Sequence, residues 1–171
     1  FDHIQGLPTL GLATLDQPRP IGVYSLPGTL DAVHNYLLNG DVYPDLTLQL
    51  NSGPPKFQFN AVEAEVPFRV LGYQVKPIPV PHPVPCVGFI VKSDAGGCIA
   101  YTGDAGGGLL PFFQDSLDPQ ILFVDVTFPN GAGDLARLTG HLTPWMLRAE
   151  LVSAMNAGLK LPRLVAVHLS P

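Results

Sequence analysis

Several histidine and aspartate residues of this chain are spaced in a way that suits metal ligands. Asp2 and His3 open the sequence, and His82, Asp104 and His168 each follow an apolar run. Apolar runs of this kind predict strands, which would bring these residues to one rim of a sheet. Imidazole and carboxylate groups suit zinc, and manganese or iron could use the same set. Together they predict the open site of a metal hydrolase, because four protein ligands would leave no position for a water nucleophile.

Several candidate residues also have a structural alternative. Asp2 and His3 form a common dipeptide that could simply lie in a turn. His82 stands between two prolines and could be an exposed loop residue, and Asp104 could close an Asx-turn. His141 could begin a helix, since Thr143 is a good N-cap and a proline follows it. The functional interpretation is favoured because four of the five histidines, His3, His82, His141 and His168, are among the candidate residues, and chance would scatter them. The fifth, His34, falls within a helical pattern and is interpreted as structural or solvent-facing.

The composition favours a folded domain that acts on a small molecule. The 171 residues are 46% hydrophobic and 13% charged, which predicts one domain with a sizeable core. A net charge of −5 is unsuited to gripping a long polyanion, so we do not expect a long nucleic acid as partner. No apolar run reaches the roughly 18 residues that span a bilayer. We therefore expect no membrane association. The residues leave the compartment open, and a cytoplasmic location is the expectation.

The two cysteines, Cys86 and Cys98, are too few for a disulfide framework. A hairpin turn over residues 93–97 would pair Cys98 with a residue near Lys92 or Ala95, and not with Cys86. Both cysteines are therefore predicted to be buried free thiols.

The hydrophobic pattern predicts strands and two intervening helices. The helices cover residues 30–38, with Thr29 as the N-cap, and residues 144–157, with Gly158 as the stop. The strands cover residues 21–24, 46–50, 57–59, 68–80, 87–92, 98–101, 121–124 and 164–167. The glycine run 106–108 lacks the lysine and hydroxyl residue of a nucleotide-triphosphatase phosphate loop and is interpreted as slack beside the metals. This order predicts a sheet sandwich with helices on its outer faces.

These pieces together resemble the metallo-β-lactamase fold superfamily, and most closely its class II 3′,5′-cyclic-nucleotide phosphodiesterase branch. The superfamily's metal motifs are matched by residues 2–7, which look like the end of a His-x-His-x-Asp-His motif, and by residues 82, 101–104 and 165–168. Two segments are more selective for the branch: residues 39–45, similar to Asn…Trp-Pro-Asp, and residues 128–130 with 140–144, similar to Phe-Pro-Asn…His-Leu-Thr-Pro. Tyr43 stands where the branch has Trp, and Asp125 where it often has Glu.

The resemblance implies an α+β fold, specifically a four-layer αββα sandwich. One hydrolase domain would cover residues 1–171, starting inside the metal motif. The N-terminal strands of the fold and the first two histidines of the motif would then lie before Phe1.

The resemblance also implies a ligand set for two zinc ions. Asp2, His3 and His168 would bind one ion, and His82 with the two upstream histidines would bind the other. Asp104 would bridge them. Two cations about 3.5–4 Å apart acidify a bridging water and neutralise the charge of a reacting phosphodiester.

Catalytic roles are implied for Asp2 and His141. His141 would hold a phosphate oxygen or protonate the leaving alkoxide, a task that suits a group with a near-neutral pKa. Asp125 would accept a hydrogen bond from a ring N–H of His141 or His168.

The implied function is hydrolysis of a 3′,5′-cyclic nucleotide to a nucleoside 5′-monophosphate by a zinc-activated water, in a protein that could be a homodimer. A tRNA 3′-processing endonuclease of the same superfamily is an alternative, although such enzymes usually need a basic exosite arm and the nine basic residues are scattered. A truncated, non-catalytic interaction domain is the other alternative.

Overall fold

The computed structural model describes residues 3–49 and 53–170. The chain divides into two compact units, Phe1–Val62 and Glu63–Pro171. The single domain over residues 1–171 stays a prediction. Within the described ranges, no helix has the length and apolarity needed to span a bilayer.

The first unit packs helices beside a parallel pair of strands. Its elements are α1 (Gly6–Ala13), β1 (Ile21–Ser25), α2 (Pro27–Tyr36) and β2 (Phe57–Ala61). Its core contains Val33, Leu37, Leu38, Leu46 and Phe57. The predicted strands at residues 21–24 and 57–59 are confirmed.

Two expectations for the first unit are wrong. Helix α2 begins at Pro27 and not after Thr29, because the fixed φ of proline suits the first helical turn. Residues 46–49 of the strand predicted for 46–50 form a turn and irregular chain, and Leu50 lies outside the described residues. Asp45 Oδ1 accepts a hydrogen bond from Thr47 N at 2.9 Å, and such an Asx-type bond competes with strand formation. Leu46 still reaches the core, although it belongs to a loop.

Among the described residues of the second unit, six strands form one sheet in chain order. They are β3 (Phe68–Val70), β4 (Tyr73–Val80), β5 (Cys86–Ser93), β6 (Cys98–Tyr101), β7 (Ile121–Asp125) and β8 (Arg163–Val167). The pairs from β3 to β6 are antiparallel, and the pairs β6–β7 and β7–β8 are parallel. The unit also contains α3 (Leu110–Gln114), α4 (Gly133–Thr139) and α5 (Pro144–Asn156).

Most of the second unit follows the hydrophobic pattern. The hairpin is confirmed with Lys92 opposite Cys98, and both cysteines are free, Cys98 buried and Cys86 half-buried. The single strand predicted for 68–80 is wrong, because a tight turn at Leu71 divides it into β3 and β4. Thr143 caps α5 as expected, with its side chain accepting a hydrogen bond from Met146 N.

The sheet order explains how distant residues reach one place. Strands β6, β7 and β8 run in the same direction, and β4 shares it because two antiparallel pairings separate β4 from β6. The four C-terminal ends therefore lie at one edge of the sheet. The buried side chains behind that edge include Ile78, Ile90, Phe112, Leu122 and Val124.

Candidate metal centre

Three of the predicted ligands meet at the edge where β4, β6 and β8 end. His82 Nε2 lies 4.0 Å from Asp104 Oδ2, and His168 Nδ1 lies 3.7 Å from Asp104 Oδ1. Each residue follows its strand within three positions, so the direction of the strands is what brings them together. Asp104 is central to the group, because its two carboxylate oxygens are the atoms nearest to the two histidines.

His141 and Asp125 adjoin these three residues. One ligand atom from each of Asp104, Asp125, His141 and His168 lies within 4.8 Å of the others. The His141 ring stacks on the His168 ring, with centroids 5.3 Å apart and an interplanar angle of 25°. Its edge meets the His82 ring at a centroid distance of 5.5 Å. A cluster of imidazole nitrogens and carboxylate oxygens at these separations has the donor chemistry that zinc requires.

The Asp125 carboxylate is fully buried and is occupied by hydrogen bonds within the protein. Its Oδ2 accepts from Ala105 N at 3.0 Å and contacts His141 Nδ1 at 2.6 Å. Its Oδ1 accepts from the backbone N–H of Thr127 at 3.0 Å and from the Thr127 hydroxyl at 2.6 Å. A carboxylate has about four acceptor sites, and all four are engaged here. These bonds hold His141 and Thr127 against Asp125, and its role as an orienting residue outside the metal shell stays a prediction.

Thr127 connects His168 to the same carboxylate. The only hydroxyl hydrogen of Thr127 goes to Asp125 Oδ1, so its oxygen accepts at 2.7 Å from His168 Nδ1. Nδ1 of His168 then carries the ring proton, so Nε2 is the unprotonated nitrogen, the form in which an imidazole binds a metal. Thr127 was not among the residues predicted from the sequence. Its signal is a hydroxyl two residues after Asp125, where a buried strand has just ended.

His141 has its Nδ1 held by Asp125, which leaves Nε2 for chemistry. Metal-binding histidines commonly donate their other N–H to a carboxylate, and acid–base histidines use the same arrangement. The ring is 5.8 Å from the Phe128 ring, centroid to centroid, in an edge contact. Its place outside the metal shell stays a prediction.

The His82 ring also bears on whether a cation fits. Its Nδ1 is buried and has no hydrogen-bond partner among the residues described by the structure. A buried polar atom left without a partner costs about 1–3 kcal/mol. Such a cost is common at sites built for a ligand, and the donor set around Asp104 identifies a cation as the ligand that fits.

The backbone around the histidines is constrained. His168 has a left-handed φ of 59°, an uncommon conformation that is often found at functional sites. Gly140, just before His141, has φ 73°, and a Cβ there would collide with Pro83 and lie 3.1 Å from His82 Cα. The turn that carries His141 therefore packs directly on the loop that carries His82, and only glycine fits between them.

The local charge favours a cation. Burial raises the pKa of the Cys86 thiol, and the negative charge of Asp104 raises it further. The pKa of Tyr101 is raised in the same order, by burial and then by Asp104. The second carboxylate, Asp125, adds to both shifts. Two carboxylates thus place a negative potential at this edge.

The remaining predicted residues belong to the first unit. His3 lies in the turn before α1 and lines a cavity with apolar residues of α1 and α2. Asp2 lies outside the described residues. The roles of Asp2 and His3 as ligands, and of Asp2 in catalysis, stay predictions.

No protein-family model matches the chain, and no curated protein matches it. Solved structures do. The metallo-β-lactamase fold protein YhfI from Bacillus subtilis superposes with a TM-score of 0.74 at 17% identity, over 99% of this chain and 61% of that one. The short form of human tRNase Z gives 0.64 at 23% identity, over 97% and 67%. Zinc-bound PqqB from Methylobacterium extorquens gives 0.60 at 18%, over 94% and 58%.

These similarities show the fold. The chain has the metallo-β-lactamase fold, as the motifs predicted, and it spans 61% of the length of YhfI. Its branch within that fold stays a prediction.

Proposed function

We propose that this chain is the metal-dependent hydrolase part of a protein that opens 3′,5′-cyclic nucleotides to nucleoside 5′-monophosphates. The observation that supports this most is the convergence of His82, Asp104 and His168 beside a His141 ring that a buried carboxylate orients. This combination provides ligands for a Lewis acid and a separate acid–base group, which phosphodiester hydrolysis uses together.

Zinc would be held in the second unit by His82, Asp104 and His168, and two ions per chain are part of the proposal. Asp2 and His3 are proposed as further ligands. When bound, the ions would acidify a water and neutralise charge on the phosphodiester. The protein's own part begins with His168, whose ring is held by Thr127 with the metal-binding nitrogen unprotonated. This arrangement lowers the cost of reorganising the ligands when a metal binds.

His141 is proposed to protonate the leaving oxygen. Its Nδ1 is held at 2.6 Å by the buried Asp125 carboxylate, which fixes the orientation of the ring and leaves Nε2 for proton transfer. The Nε2 proton would pass to the 3′ oxygen as the bond between phosphorus and that oxygen breaks. The phosphate then stays on the 5′ oxygen, which gives the nucleoside 5′-monophosphate.

A tRNA 3′-processing endonuclease is the second candidate, and the structural similarity to human tRNase Z at a TM-score of 0.64 favours it. Against it stand 9 basic and 14 acidic residues, since binding a long polyanion requires a basic surface. A small cyclic nucleotide carries one phosphate and needs no such surface. We also propose a homodimer and a cytoplasmic location. An interaction domain without catalysis is the third candidate function.

A substrate panel tests the proposal. The full-length protein, loaded with zinc, would be incubated with adenosine and guanosine 3′,5′-cyclic monophosphates and with a 3′-extended tRNA precursor, and the products separated by chromatography. We expect 5′-monophosphates from a cyclic nucleotide and an intact tRNA precursor. Cleavage of the tRNA alone would favour the endonuclease, and a zinc-loaded protein inert toward all three would favour the interaction domain.

A further inference from the structure

The loop over residues 103–109, which we call the glycine loop, carries Asp104 from the end of β6 to the start of α3. Gly103, Gly107 and Gly108 have positive φ values of 64°, 137° and 70°. A segment this rich in glycine has many accessible conformations, so it needs anchors if it is to hold a ligand in one place. The sequence alone suggested a slack segment. The structure shows an anchored one.

Successive backbone N–H groups of the glycine loop are bonded to different parts of the unit. Ala105 N donates to Asp125 Oδ2 at 3.0 Å, and Gly106 N donates to the carbonyl of Pro81 at 2.8 Å. Pro81 directly precedes His82. The first two anchors therefore tie the Asp104 segment to the carboxylate that orients His141 and to the loop of His82.

The third anchor is Glu150, a half-buried residue of α5. Its Oε2 accepts from Leu109 N at 3.0 Å and its Oε1 accepts from Gly108 N at 3.3 Å. Leu109 is the N-cap of α3, so its N–H has no partner inside that helix. Hydrogen bonds to an ionised carboxylate are stronger than those between neutral groups. Glu150 thus fixes the far end of the loop with both of its oxygens.

Close packing makes the loop sensitive to this anchor. A Cβ on Gly107 would lie 3.0 Å from Glu150 Oε1, and one on Gly108 would lie 2.8 Å from the Pro81 ring. A Cβ on Gly106 would lie 3.1 Å from the backbone of Gly140, the residue before His141. The loop therefore packs closely against α5, the His82 loop and the His141 turn. Because there is little free space around it, a displacement at one end of the loop would be transmitted along it.

We propose that Glu150 is a positioning residue, which holds Asp104 in place relative to His82 and His141 through the glycine loop. The expected effect of Glu150 on kcat and KM rests on the proposed function. Its expected effect on zinc affinity can be measured without knowing the substrate. The competing explanation is that Glu150 only caps α3 and stabilises the fold. A purely stabilising role would lower the thermal midpoint and leave the metal affinity of the folded protein unchanged.

The test uses the full-length protein with Glu150→Ala, Glu150→Gln and a matched control, Asp134→Asn. Asp134 is a fully exposed acid of the same unit, paired with Arg137 on α4. For each variant we would measure the thermal midpoint of the metal-free protein, its zinc affinity by competition with a chelator, and kcat and KM on the cyclic nucleotide.

We expect Glu150→Ala to weaken zinc binding by roughly 10–100-fold, the range for residues that orient metal ligands. We expect kcat to fall more than KM rises. Glu150→Gln should be intermediate, because its amide oxygen can accept one of the two N–H groups, and it serves as the test if the alanine variant does not fold. Asp134→Asn should match the wild type.

Unchanged zinc affinity in a folded Glu150 variant would overturn the positioning role, whatever its thermal midpoint. A wild-type protein that binds zinc but hydrolyses no phosphodiester would overturn the proposed function and leave the zinc comparison to decide the role of Glu150. A wild type without zinc affinity would overturn both.

Discussion

A single buried carboxylate organises the candidate centre at the scale of residues. Asp125 holds His141 directly and His168 through Thr127, so one side chain sets the ring orientation and proton position of two histidines. The pairing of Asp125 with a neighbouring side chain could be predicted, because an acid at the end of a buried strand needs a partner. The role of Thr127 could not be predicted, because a hydroxyl two residues after Asp125 has many possible partners until the β7–β8 pairing is known.

Removing His141 and removing His168 should have different effects. His141→Ala should lower kcat on a cyclic nucleotide by roughly 10²–10⁴-fold with zinc retained, because an acid–base group acts mainly in the transition state. His168→Ala should instead lower the zinc content, because His168 is a proposed metal ligand. Metal content and steady-state kinetics would be measured on both variants, and zinc loss in His141→Ala would place that residue in the metal shell.

Thr127→Val should weaken zinc binding by roughly 10–100-fold while keeping the fold, because valine has nearly the same shape but offers His168 no acceptor. Thr127→Ser keeps the hydroxyl and is the matched control. Chelator competition provides the affinities. If the valine variant bound zinc as tightly as the serine variant, the hydroxyl would have no part in orienting His168.

The buried thiol of Cys98 predicts a pH dependence. Burial raises its pKa above the ordinary value of 9.0, so the folded state keeps the thiol protonated where the unfolded chain would ionise it. Its contribution to the free energy of unfolding is complete below about pH 9 and is lost as the pH rises through the folded-state pKa. Urea unfolding between pH 8 and 10.5 should therefore show a steeper alkaline loss of stability for the wild type than for Cys98→Ala; parallel curves would contradict this.

The direction of the strands determines the site at the scale of elements. The apolar runs that end near His82, Asp104 and His168 predicted three of the strands, and four strand ends do share one edge. Helices α3 and α4 were missed, because elements of five and seven residues are too short for a clear apolar period. The strand predicted for residues 46–50 rested on alternating leucines, and it is wrong over residues 46–49, where an Asx-type bond at Asp45 favours a loop.

The N-cap of α5 lies two residues after His141, so its strength bears on both stability and function. Thr143 is buried and its hydroxyl accepts from Met146 N at 3.3 Å. Thr143→Ala should lower the free energy of unfolding by about 1 kcal/mol, and Thr143→Ser by less, since serine is an equally good cap. Urea titration measures both. Equal losses in the two variants would assign the effect to packing of the methyl group.

The chain as a whole spans 61% of the length of YhfI and 67% of that of human tRNase Z. The second unit nevertheless brings His82, Asp104, Asp125, His141 and His168 together by itself. The fold could be predicted because its motifs occur in a fixed order along the sequence. The anchoring of the glycine loop could not, because Glu150 is about 40 residues away and meets the loop only in the folded unit.

The metal content of the full-length protein tests the central claim most directly. Elemental analysis of the zinc-equilibrated wild type, Asp104→Ala and Asp134→Asn would be carried out on folded, desalted samples. The account predicts about two ions per chain in the wild type and in Asp134→Asn, and a reduced content in Asp104→Ala, because a bridging carboxylate serves both ions. A wild type without metal, or an unchanged content in Asp104→Ala, would contradict it.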